Sequence, residues 1–186
     1  MPLSQLAAIA AQFERARERL HRVVAAVPPQ RWAVRADPAR WSVAECVAHL
    51  NLTGRRYVPL LQEALAEARA LGVEAPKRYR RDVAGWVISL AVGPMPRVGR
   101  GALGRTRTIA AFVPSGELPR ETVLAEFDRL QAEQVALTRS AEGLPLHRVR
   151  ITSPFNARLR YNAYSAFVLL PRHQERHINQ AQWVWS

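Results

Sequence analysis

The chain has 186 residues, 48% of them hydrophobic, with 13 Pro, 9 Gly and one Cys, which suits a single globular domain spanning residues 1–186. One thiol excludes an intrachain disulfide, the opening MPLSQLAAIAAQFER has no basic segment ahead of its apolar residues, and the longest uncharged apolar stretch, Val83 to Pro96, is shorter than the roughly 20 residues of a membrane span, so a soluble protein of a reducing cytoplasm is expected. Only the net charge of +12 is out of line, and it admits nucleic acid, an acidic membrane surface or an anionic small molecule as partner.

Leu6, Ile9, Phe13, Ala16, Leu20, Val23 and Val27 recur at steps of three and four with charged residues between them, which predicts an amphipathic first helix ended by Pro28 and Pro29. A linker carrying Trp32, Asp37 and Pro38 leads to Trp41. Ser42-Val43-Ala44-Glu45 then reads as a capping box, with Trp41 and Cys46 at the staple positions beside it. The second helix runs from there to about Leu71, bent by Pro59, and Gly72 stands where a stop belongs.

From Val73 to Pro119 the helical pattern dissolves into a long Pro-, Gly- and Arg-rich connection around one apolar patch, Val83 to Val92, which suits a short helix. Between Lys77 and Arg107 eight basic residues face one acid, Asp82, a net of +7. Of the 27 basic residues in the chain only Lys77 is a lysine, a bias that codon usage produces as readily as selection for a partner. A third helix is predicted from Pro119, as its N1 residue, to a stop at Gly143, followed by a loop with Pro145, His147 and Pro154. The last helix spans about Tyr161 to Trp183, kinked by Pro171. Four long helices without a convincing alternating strand predict an all-α fold, a four-helix bundle.

His173 and His177 stand four apart on the last helix, about 40° apart around its axis, so both imidazoles can converge on one ion in the company of Ala166, Leu170, Gln180 and Val184. Glu175 lies about 200° from His173, which excludes the H-E-x-x-H protease arrangement. His49, at the edge of the apolar stripe of the second helix with Glu45, Cys46, Thr53 and Arg56 on its face, is the best third ligand. His21 and His147 have no such partners and read as structural. Cys46, beside the capping box, reads as a small packing residue before a nucleophile or a fourth ligand.

Trp41-Ser42-x-x-Glu45-x-x-x-His49-Leu50, paired with His173-x-x-x-His177-x-x-Gln180 near the carboxyl end, resembles the DinB-like superfamily, which includes YfiT-type metal-dependent hydrolases and bacillithiol S-transferases. The likeness covers nearly the whole chain, including the helix order. It implies a four-helix bundle, a divalent metal such as zinc or nickel on His49, His173 and His177, and a homodimer. Because the first residue of the C-terminal pair is a histidine, where some thiol-dependent isomerases have an acid, the chain leans toward the YfiT-like branch.

Three neutral imidazoles leave coordination positions free, as in catalytic sites. Two uses follow: activating a low-molecular-weight thiol for S-transfer, or activating water for hydrolysis. Such thiols carry carboxylates, and Arg56, two turns beyond His49, is the candidate to hold one, with Gln180 as a second contact to the small-molecule substrate. The competing class is a non-catalytic binder of nucleic acid or an anionic surface, driven by the arginines from Arg78 to Arg107 with Trp86 and Tyr79 as stacking or interfacial groups.

Overall fold

Ser4 opens the first helix by accepting from the Ala7 amide, and the apolar stripe read from the sequence becomes the buried face of α1, Gln5–Ala25. The computed structural model describes residues 4–94, 97–98, 101–102 and 109–185. Its order is α1, α2 (Val43–Ala70), α3 (Val83–Val92), the strands β1 (Arg97–Val98) and β2 (Gly101–Ala102), α4 (Arg120–Ser140), β3 (Arg150–Ser153), β4 (Asn156–Asn162) and α5 (Ala163–Trp185). The four long helices α1, α2, α4 and α5 pack on one another as the expected bundle. Arg100, Arg105 and Arg107 of the basic stretch lie outside the described residues.

Helix α2 starts at the capping box: Ser42 accepts from the Glu45 amide, and the Glu45 carboxylate accepts from the Ser42 amide at 2.8 Å. It closes with Gly72 at φ +60°, the left-handed conformation that a side chain would resist. Both α2 and α5 continue through internal prolines, Pro59 and Pro171. Pro119 stands one place earlier than expected, as the N-cap of α4. The short helix α3 has the bounds read from the sequence and packs on α5 and β4.

The loop expected after α4 contains an antiparallel hairpin instead. Ile151 pairs with Tyr161 and Thr152 with Arg160, and the register shifts between Thr152 and Ser153. Tyr161, expected to open the last helix, belongs to β4, and α5 begins two residues later. The fold is therefore five helices packed as a bundle with a small hairpin.

Two apolar clusters fill the interior. One gathers Leu6, Phe13, Tyr57, Leu61, Tyr161 and Phe167, and the other Leu20, Val24, Trp32, Val47, Phe127 and Ile178. Along α2 the second cluster ends at Leu50 and the first begins at Tyr57; along α5 the first ends at Leu170 and the second begins at Ile178. His49, His173 and His177 fall at this seam. No helix among the described residues is long and apolar enough to cross a membrane.

Candidate metal centre

The three histidines nominated by spacing meet in space. His49 on α2 and His173 and His177 on α5 are all buried, and one ring nitrogen of each lies within 4.8 Å of the others. The His173 Nε2 is 3.3 Å from the His49 Nε2 and 3.1 Å from the His177 Nε2. Two donors at tetrahedral positions around one metal, with bonds of about 2.0–2.1 Å, stand about 3.3–3.4 Å apart, so the two spacings that His173 makes fit a shared cation, and the His49 and His177 donors lie within 4.8 Å of each other.

Hydrogen bonds on the outer nitrogens of His49 and His177 fix which edge of those two rings looks inward. The His49 Nδ1 lies 2.8 Å from the Phe112 carbonyl, which can only accept, so the proton sits on Nδ1 and the Nε2 lone pair faces the cluster. The His177 Nδ1 makes the same arrangement with the Gln180 Oε1 at 3.0 Å. The His173 Nδ1 is buried with no hydrogen-bond partner among the described residues.

Burial pushes His49 down to about 4, with the positive charge of Arg176 adding to the fall and the Phe112 carbonyl opposing it. His173 and His177 are lowered well below the usual histidine range, first by burial and then by the neighbouring imidazoles and Arg176. All three rings are neutral near pH 7. Neutral imidazoles with converging lone pairs are a donor set for a metal ion, and the three rings can hold one.

Aromatic side chains wall the cluster. Trp41 lies 4.8 Å from the His49 ring and stacks on His177 at 5.9 Å, Phe112 meets His49 edge-on at 6.3 Å, and Phe155 is 5.8 Å from His173. Phe112 arrives from the end of the long connection and Phe155 from the hairpin turn. Sequence reasoning missed both, because neither belongs to a helical pattern; the alternation Ile151, Ser153 and Leu159, Tyr161 around Pro154 was the signal available for the hairpin.

The nearby carboxylates are already engaged. Glu45 serves the cap and is gripped by Arg35, whose guanidinium holds its carboxyl below the usual range. Glu175 pairs with Arg19 on the far side of α5. Burial pushes the Cys46 thiol up, so it is a packing group. Arg56 is exposed on α2, without a hydrogen-bond or ion-pair partner among the described residues, while Gln180 is spent in part on His177. His21 pairs with Asp128 at the surface, and His147 is exposed.

No curated protein and no solved structure gives a significant match to the chain. The sequence model of the DinB superfamily matches residues 12–181, a stretch that takes in all of α2 and α4, most of α1 and α5, and all three histidines. With that match and this bundle, the chain belongs to the DinB superfamily.

Proposed function

We propose that the chain is a metal-dependent enzyme in which His49, His173 and His177 hold one divalent cation and the centre serves an S-transferase that uses a low-molecular-weight thiol. The observation that carries this reading is the convergence of three neutral Nε2 atoms with no free carboxylate or thiol among them. Imidazole donors suit zinc and nickel. When bound, a cation on three such donors keeps free positions and supplies the Lewis acidity that lowers the pKa of a thiol or of water.

The chain's own residues set the rest. Phe112 and Gln180 orient the rings through their outer nitrogens, and Trp41, Phe112 and Phe155 keep bulk water from them. Arg56 offers an unpaired guanidinium to a carboxylate of the thiol, and Gln180 a second polar contact. Neither Glu45 nor Glu175 is free to serve as a general base. That favours a nucleophile that ionises readily, and a free thiol does so near about 8.5, far more readily than water. The reading takes residues 1–186 as one domain, working in the cytoplasm as a homodimer, which the resemblance supports.

The test uses protein purified without an affinity tag, analysed for metal and assayed with added zinc or nickel against a thiol plus electrophile and against esters and amides. Metal-dependent thiol conjugation lost in His177→Ala supports the reading. Metal-dependent hydrolysis without thiol turnover replaces it with a hydrolase, and no turnover of either kind leaves a binding protein.

A further inference from the structure

Helix α3 is apolar on two sides, and the bundle uses only one of them. Its inner face is held firmly: Asp82 caps the helix through the Gly85 amide and accepts from Ser165 Oγ and the Asn162 amide. At the other end Arg172 and Arg176 of α5 donate to the carbonyls of Ser89 and Ala91. Gly85 sits so close to α5 that a Cβ there would collide with the Ser165 side chain. The opposite face is therefore fixed toward solvent, and it carries Val83, Trp86, Val87 and Leu90, at 81%, 51%, 54% and 47% exposure. These four span about 100° of the helix circumference and form one stripe.

Cationic side chains lie next to α3 in the chain and on the strand it packs against. Lys77, Arg78 and Arg80 are exposed just before α3, and Arg158 and Arg160 are exposed on β4, against which α3 packs. A solvent-facing Trp, Val and Leu stripe with cationic neighbours is the composition of a helix that lies in the headgroup region of an anionic bilayer.

We propose that the exposed face of α3 docks the protein on anionic lipid surfaces, its aliphatic and Trp side chains entering the headgroup boundary while the neighbouring arginines meet lipid phosphates. Charge decides among occupants. A second copy seated on this face would bring two strongly positive segments together, which is repulsive. Nucleic acid would satisfy the arginines and leave Val83, Val87 and Leu90 without a partner, since aliphatic side chains neither stack on bases as aromatics do nor bind phosphate.

The full chain is sedimented with phosphatidylcholine vesicles and with mixed phosphatidylcholine–phosphatidylglycerol vesicles, at low and high salt. The expected result is partition onto the mixed vesicles alone, weakened by salt, and reduced about tenfold or more in Trp86→Ser/Leu90→Ser. Both substituted residues are exposed, so the double variant should melt with the wild type. Should it fail to fold, Trp86→Phe with brominated lipid serves instead: quenching of the wild-type fluorescence that is diminished in that variant supports insertion, and unchanged quenching overturns it. Absence of partition at low salt, or partition indifferent to the double substitution, overturns the proposal. So does vesicle-independent self-association that the double variant disperses, or binding to a DNA duplex without any binding to vesicles.

Discussion

At the scale of single residues, His173 sits at the middle of the cluster, its Nε2 within 3.3 Å of both other Nε2 atoms, while its own Nδ1 is buried and unsatisfied. His173→Ala should lower metal affinity by orders of magnitude and abolish stoichiometric binding, as measured by elemental analysis after dialysis. Removing an unsatisfied buried nitrogen offsets the cavity left behind, so the metal-free variant should melt close to metal-free wild type. Stoichiometric metal in this variant would refute the ligand set. Cys46 gives a second prediction. Burial raises its pKa, so in the fold the thiol keeps its proton at a pH where the unfolded chain has lost it. Its contribution to stability is thus intact below about 8.5 and is lost as pH rises above that value. In native protein at pH 8 a disulfide reagent should leave Cys46 unmodified and react with it on addition of denaturant; rapid native labelling would contradict its packing role.

At the scale of elements, the parts legible in the sequence are those whose cause is local. The capping box of α2 works within four residues, the stripe of α1 within one helix, and the pair His173 and His177 within one turn. The hairpin was not legible because β3 has only four residues, and its stability comes from placing Ile151 and Tyr161 against the bundle core. Phe112, Phe155 and the grip of Arg35 on Glu45 depend on where loops cross α2 and α5, which no local pattern encodes. Three substitutions check the local and the tertiary causes separately. Ser42→Ala removes the side-chain acceptor at the start of α2 and should cost about 1 kcal/mol in denaturant unfolding, whereas Glu45→Gln keeps an oxygen for the Ser42 amide, loses only the half-exposed charge pair with Arg35, and should cost no more than about 1 kcal/mol with metal content unchanged. A loss of activity in Glu45→Gln at unchanged stability would assign that carboxylate to the metal centre. Gly85→Ala, a helix-favouring change in isolation, should destabilise by about 1–3 kcal/mol because the methyl meets Ser165, and an unaltered melt would show that α3 is not docked as described.

At the scale of the whole molecule, the histidines lie where two apolar clusters meet, and the same seam carries a second polar device. The amides of Gln131 on α4 and Gln174 on α5 exchange hydrogen bonds at 3.0 and 2.6 Å, and Gln131 also donates to the Phe13 carbonyl of α1. Both are buried, so each needs the other, and together they fix α5 in register with α1 and α4 beside His173. A cation at the cluster would tie α2 to α5 in the same layer. It would bind the folded chain and not the unfolded one, so free metal at about 100 times its dissociation constant should add about 2.7 kcal/mol of stability. For a chain of this length that is a rise of about 5–10 °C in melting temperature. Thermal melts with chelator and with increasing zinc should show that rise in wild type and none in His177→Ala. Gln131→Ala leaves Gln174 only its long, 3.5 Å bond to the Gln134 Oε1 and should lower the melting temperature with and without zinc alike, keeping the metal-dependent increment. An increment that persisted in His177→Ala would place the stabilising ion elsewhere on the molecule.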